Sequence, residues 1–252
     1  MPRRQWKGQP RRPFRKAGTV SISIVGGLED ILSAMEARCP AVAGHCRRVS
    51  LYSVRLATQY GLAQETVEAI RVGALLHDLG KLEVPLRLLE KPGRLTEREW
   101  ARLRRHPESG LALVDRLGFD ASVAEIVLFH HERFDGSGYP DSLAGSSIPW
   151  PVRIVSVMDA FDALTSPRAY REALSIDAAR SLLAREAGSR YCPWVVSGLL
   201  SLPGPMLRAV TTTPAAGCCP DGCPSPAALL QATQAWRRDT ALSDHGYLSA
   251  TA

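Results

Sequence analysis

Five histidines fall between residues 45 and 131, and their spacing lays four of them on apolar helix faces. His45, Val49, Tyr52 and Leu56 are spaced by 4, 3 and 4. Val67, Ile70, Ala74 and His77 are spaced by 3, 4 and 3, and so are Leu103, His106, Gly110 and Leu113. Val123, Val127 and His130 follow at 4 and 3, with His131 next to them. A period of 3.6 residues puts each series on one side of a helix, so imidazoles from four helices point inward with the apolar stripe. A single histidine of this kind is ordinarily a core residue satisfied by a carbonyl or a hydroxyl. Five call for a shared partner, because each unpaired buried polar group costs about 1–3 kcal/mol. A metal centre supplies one, neutral imidazole being the commonest metal ligand of proteins.

Carboxylates stand where such a centre needs them. Asp78 directly follows His77 in LLHDLGK, and Asp159 continues the face Val152, Val155, Asp159, Asp162 in VRIVSVMDAFDAL. An acid on an apolar stripe needs a compensating cation. Neighbouring residues on a helix point about 100° apart, so His77–Asp78 and His130–His131 reach slightly different points. That suits two metals a few ångströms apart, bridged by Asp78, better than one tetrahedral ion. Five nitrogens and two carboxylates also exceed the four ligands of a structural zinc. Ligation by N and O without thiolate fits Fe or Mn, with Ni, Co or Zn compatible. A two-metal site activates water and steadies both oxygens of an in-line displacement at phosphorus, so phosphoester hydrolysis follows as the reaction class. Lys81, one turn beyond His77 and Asp78, can set a cation on a phosphate oxygen; the plain alternative is a solvated lysine. Arg168 and Arg171 in SPRAYR can clamp phosphates with paired hydrogen bonds; the plain alternative is a surface ion pair.

Helices must position these groups. Periodicity and end signals predict helices over about Gly44–Tyr60, Gln64–Asp78, residues 121–133, Ser175–Ala187 and Pro193–Leu200, and one preceded by Pro149 and Pro151 that runs through about Leu164. Thr96 and Glu99 form the T-x-x-E pattern of a capping box and open a further helix to about Leu117. No alternating strand pattern and no internal repeat interrupts them, so the domain is all-α. It is expected over 26–201. A basic arm at 1–25 precedes it. The segment 202–252 follows as a Pro/Gly/Thr-rich linker, a short amphipathic helix at about 226–238 and a flexible tail.

The net charge of +6 is unevenly spread. Residues 1–16 hold seven of the 31 Lys and Arg and no acid, which leaves 24 basic against 25 acidic residues elsewhere. The basic character thus belongs to the arm, read as a solvated segment; weak contact with nucleic acid or an acidic partner is its other reading. No apolar run approaches the roughly 18 residues of a membrane span, and no apolar segment follows the basic start as in a secretory signal. A cytoplasmic location is expected, with reduced thiols. Cys39, Cys46 and Cys192 are scattered, whereas Cys218, Cys219 and Cys223 cluster in CCPDGC without a second pair at zinc-site spacing.

LLHDLGK resembles the HD motif of the HD hydrolases, which are metal-dependent phosphohydrolases. HHERFDGSGYP followed by IPWPVRIVSVMDAFDALTSPRAYR resembles the HD-GYP subfamily, which hydrolyses the bacterial second messenger cyclic di-GMP. The resemblance covers about residues 27–200 and implies an HD-domain helical bundle with additional C-terminal helices. At matching positions it implies His45, His77, Asp78, His106, His130, His131 and Asp159 as metal ligands, with Asp78 and Lys81 catalytic. It implies Gly138, Tyr139 and Pro140 as a lip near the substrate that also meets a diguanylate cyclase (GGDEF) partner. Asp162, Arg168 and Arg171 would support substrate binding, and the product would be linear pGpG or GMP. Some members carry a Glu four residues before the first ligand histidine that helps hold a third metal. Ala41 stands there in this chain, which favours two. Cys192 replaces the Asp of a Phe-Asp-Pro-like run, which bears on C-terminal packing. The alternatives are another cyclic dinucleotide or nucleotide as substrate, and a module that binds cyclic di-GMP or docks a cyclase without turnover. The complete ligand set argues against the last. Only the basic arm precedes the fold, so regulation is expected from the arm or from elsewhere. The sequence gives no oligomeric state.

Overall fold

The computed structural model describes residues 27–167 and 172–211. Arg168, Arg171, the basic arm, the CCPDGC cluster and the helix expected at 226–238 lie outside the described residues. The described chain forms α1 (Leu28–Arg38), α2 (Pro40–Gln59), α3 (Gln64–Leu76), α4 (Leu86–Leu89), α5 (Glu97–Leu103), α6 (His106–Arg116), α7 (Ala121–Phe129), α8 (Trp150–Thr165), α9 (Ile176–Arg185), α10 (Pro193–Ser201) and α11 (Gly204–Thr211). Two 3-10 turns, Leu79–Glu83 and Gly145–Ser147, interrupt them. Among the described residues there is no strand, only isolated bridges between Asp135 and Ala144 and between Ala187 and Tyr191. The all-α expectation holds.

Helix α2 packs against α1, α3, α8 and α11. Its stripe Cys46, Val49, Tyr52 and Leu56 has no exposed surface. Cys46 joins one apolar cluster with Ile31, Met35, Leu76, Leu79 and Val127. Val49, Tyr52 and Leu56 join another with Ile70, Ile154, Met158, Phe161 and Leu199. Tyr52 meets Phe161 edge to face, with ring centroids 5.2 Å apart. One helix thus ties both cores together, with His45 at the seam.

Several boundaries differ from the sequence expectation. The capping box forms as expected: Glu99 N–H donates to Thr96 Oγ1, and Thr96 N–H donates to Glu99 Oε2 at 2.7 Å. The helix it opens stops at Leu103, and α6 begins at His106. Pro107 is the cause, since it has no N–H to give the Leu103 carbonyl four residues back. Next, α2 begins at Pro40 rather than Gly44, with the proline in the first turn, where its missing N–H does no harm. Finally, residues 204–211 form α11 rather than a linker. Leu202 and Leu207 are buried, and the Tyr52 hydroxyl donates to the Leu207 carbonyl at 3.4 Å. Burial of two leucines outweighs a Pro-rich composition here.

Candidate metal centre

Three of the histidines stand where helices stop. His77 is the C-terminal cap of α3, His130 is that of α7, and His106 follows the end of α5 across a two-residue turn. The last carbonyls of a helix lack intrahelical partners. Each histidine takes one of them three residues back: His77 Nδ1 donates to Ala74 O at 2.7 Å, His106 Nδ1 to Leu103 O at 2.7 Å, and His130 Nδ1 to Val127 O at 2.8 Å. For His106 the carbonyl is the one that Pro107 cannot use. This bond places the proton on Nδ1 and turns Nε2, with its free lone pair, toward the centre. Three helix C-termini, each with partial negative charge, therefore face the same region, which favours a cation there. Helices α3 and α7 end at Leu76 and Phe129. The expected ends were residues 78 and 133, and the earlier stop frees these carbonyls.

The Nε2 atoms converge. His106 Nε2 lies 3.2 Å from both His130 Nε2 and His131 Nε2. Asp78 is buried between two groups of donors. Its Oδ1 lies 3.2 Å from His106 Nε2 and 3.9 Å from His130 Nε2, while Oδ2 lies 3.5 Å from His77 Nε2 and 3.9 Å from His45 Nε2. His106, His130 and His131 form one set whose donor atoms all lie within 4.8 Å of one another, and His45, His77 and Asp78 form a second. Asp159 Oδ1 stands 3.0 Å from His45 Nε2. Buried His77 Nε2 has no hydrogen-bond partner of good geometry. An orphaned buried nitrogen, lone pairs crowded to 3.2 Å and a thiolate-free N/O donor set all fit divalent metal ions.

The electrostatics divide along the same line. Burial and the neighbouring imidazoles hold His130 well below the usual histidine range and His131 at about 3, so both are neutral, the form that ligates metal. Burial opposes charge on His45 too, but hydrogen bonds to Asp159 and Asp162 overcome it and lift its pKa to about 9. Asp78 and Asp159 are held below the ordinary carboxylate range: burial opposes this, but Lys81 and His77 around Asp78, and His45 against Asp159, win. Lys81 Nζ donates to Asp78 Oδ2 at 2.5 Å, and that contact keeps the lysine protonated against its burial.

The lip is pinned from below. Glu132 is buried, and its two oxygens accept from the backbone N–H groups of Asp141 at 2.7 Å and Leu143 at 3.0 Å. Gly138 lies on the Glu132–Arg133 backbone so closely that a Cβ would run into it. The Tyr139 ring stacks on His131 with centroids 4.9 Å apart and planes 28° apart, and the Arg104 guanidinium lies 4.2 Å from the ring centre. Tyr139 thus touches the histidine cluster directly, and Pro140 follows it in the lip.

The structure brings together His45, His77, Asp78, Lys81, His106, His130, His131, Asp159 and Tyr139. It places Asp162 elsewhere than expected. Asp162 has no exposed surface, and both its oxygens are engaged by His45, Arg48 and Ser166. It stands behind His45, out of a substrate's reach. Two residues had not been singled out from the sequence. Arg48 follows His45 by three positions on the same buried face, and a guanidinium on an apolar stripe was its signal. Glu132 directly follows two inward histidines, and an acid at the end of an apolar run was its signal.

A family model described as HD domain matches residues 28–195. The chain is 43% identical over 175 residues to the cyclic di-GMP phosphodiesterase response regulator RpfG of Xanthomonas campestris, covering 69% of this chain and 46% of that protein. It is 38% identical over 173 residues to the 3'3'-cGAMP-specific phosphodiesterase 2 of Vibrio cholerae, covering 68% and 33%. The chain therefore spans less than half the length of these two relatives. Among solved structures it resembles an HDG"Y"P protein from Bdellovibrio bacteriovorus, with a TM-score of 0.55 at 24% identity, covering 72% of this chain and 60% of that one. That likeness supports the fold. No described helix is long and apolar enough to cross a membrane.

Proposed function

The chain belongs to the HD-domain family, in its HD-GYP branch, and from that premise we propose that it hydrolyses the phosphodiester bonds of cyclic di-GMP to pGpG or GMP. One observation carries the reading: the two oxygens of Asp78 each face a separate set of histidine donors. HD-domain phosphohydrolases are metal-dependent. Two divalent ions, Fe or Mn, would be held by His45, His77 and Asp159 on one side, His106, His130 and His131 on the other, and Asp78 between them, and would supply Lewis acidity and an acidified water.

The remaining roles fall to the chain's own groups. Lys81 stays protonated beside Asp78, so it serves as a fixed cation at a phosphate oxygen or as a proton donor to the departing 3′ oxygen, and not as a base. Asp78 orients that ammonium through the 2.5 Å contact. Tyr139 closes one wall of the site by its stack on His131 and holds bulk water from that side. Arg168 and Arg171 are proposed to pair with the substrate's phosphates.

The 38% identical relative that is a 3'3'-cGAMP-specific phosphodiesterase supports a second reading, with the mixed dinucleotide as substrate. Protein purified without oxygen and loaded with Fe or Mn, then incubated with each dinucleotide and resolved by chromatography, separates the two. Linear product from cyclic di-GMP supports the first reading, and product from cGAMP alone selects the second. No product from either, with metal bound, overturns both.

A further inference from the structure

Four of the five histidines described above are not all aimed in the same way. His77, His106 and His130 are oriented by their own chain, each through a free carbonyl three residues back at a helix end. His45 lies in the interior of α2, where the nearby carbonyls are taken by helix hydrogen bonds. It has no free carbonyl of that kind and borrows an anchor from another helix. Its Nδ1 donates to Asp162 Oδ2 at 2.7 Å, across 117 positions of sequence and from α2 to α8. Asp162 is held in turn. Arg48 meets it with a fork, Nε to Oδ1 at 2.7 Å and an Nη to Oδ2 at 2.9 Å, and the same Nη reaches Ser166 Oγ at 3.1 Å. Helix α2 therefore carries both the histidine and the cation that fixes the histidine's anchor. Arg48 also makes the anchor tolerable: without it Asp162 would be a buried carboxylate that has lost its two-pronged guanidinium partner.

We propose that Arg48 and Asp162 are positioning residues for metal binding at the His45, His77 and Asp78 group, and that they set the affinity of that group separately from the His106, His130 and His131 group. This rests on the metal-dependent reading above. Charge and shape at position 162 both matter. A carboxylate can only accept, so it keeps the imidazole proton on Nδ1 and the Nε2 lone pair toward the centre. An amide there can turn its NH2 toward Nδ1, which moves the ring proton to Nε2 and blocks that nitrogen as a ligand. A lysine at 48 keeps the charge but cannot make the two-pronged contact.

The test titrates Mn2+ into chelator-treated wild-type protein, Asp162→Asn and Arg48→Lys, following heat and the signal of free Mn2+ by electron paramagnetic resonance. The wild type is expected to take up two ions per chain. Asp162→Asn should keep one ion at wild-type affinity and bind the other about 10–100-fold more weakly, the effect typical of a partner behind a ligand. Arg48→Lys should weaken the same ion by about tenfold. Melting curves separate positioning from folding: Asp162→Asn strands the buried Arg48 guanidinium and should melt lower than the wild type already in chelator, whereas lost positioning shows as a smaller gain in melting temperature on adding Mn2+. The proposal is overturned if both variants hold both ions as the wild type does, or if both ions weaken together. A wild type that takes up Mn2+ but cleaves neither dinucleotide sinks the proposed activity and leaves the positioning result standing. A wild type that takes up no Mn2+ overturns both.

Discussion

Asp78 Oδ1 lies 3.2 Å from His106 Nε2, while the second oxygen of the same carboxylate is turned away toward His77 and Lys81. One buried side chain thus serves two donor groups and the lysine together. Asp78→Asn keeps the size and removes the charge from all three. Metal content should fall at both positions, and turnover of the dinucleotide should drop by more than about 100-fold. Metal analysis beside a turnover assay checks this; a variant with full metal and an unchanged rate would refute the bridging role.

Gly80 occupies the point where the 3-10 turn after His77 crosses α6. A Cβ at that position would run into the carbonyl of His106 and approach the Gly110 amide, both backbone atoms that cannot swing aside. Gly80→Ala should therefore cost about 1–3 kcal/mol or more of stability. It should also weaken metal uptake, because the turn fixes Asp78 and Lys81 against His106. Chemical denaturation and metal titration on the same preparation test both; unaltered values in each would show that the turn can move freely.

Much of this centre was legible because histidine on a helical period is a strong signal. His77, His106 and His130 each extend an apolar series, and that periodicity persists even where the helix itself breaks. The series Leu103, His106, Gly110 and Leu113 keeps its spacing across the turn at Arg104 and Arg105, so it concealed the end of α5. Pro107 carried the missing information, since its effect falls on the Leu103 carbonyl and not on the apolar pattern. Asp162 was read as a substrate contact on the family resemblance alone. Only the packing of α2 on α8 shows that it faces away from the site, toward Arg48. Helix α11 was hidden by its composition, because Leu202 and Leu207 gain their burial from distant partners.

Glu132 holds the return of the lip with two charge-assisted bonds to the amides of Asp141 and Leu143. Glu132→Gln leaves one acceptor oxygen and turns an NH2 toward the second amide. The loss should be about 1–3 kcal/mol, felt locally. Amide hydrogen exchange is the direct probe. Protection at Asp141 and Leu143 should fall while that of α2 and α8 stays near the wild-type level. Equal exchange in both proteins would mean that the lip is held by other contacts.

Tyr139 touches the centre by its ring. The ring stacks on His131 and lies beneath the Arg104 guanidinium. Stacking of this kind is worth about 0.5–1.5 kcal/mol, and an exposed cation over a ring about 0.5–1 kcal/mol. Tyr139→Phe keeps both contacts and should leave kcat and KM close to the wild-type values. Tyr139→Ala removes both, frees the His131 ring on one face and lets Arg104 return to solvent. The sum, about 1–2.5 kcal/mol, is about 5- to 70-fold in an equilibrium, so KM for the dinucleotide should rise within that range. The rate for a small chromogenic diester that cannot reach the lip should change little. If Phe and Ala impair turnover equally, the hydroxyl and not the ring is what the lip contributes.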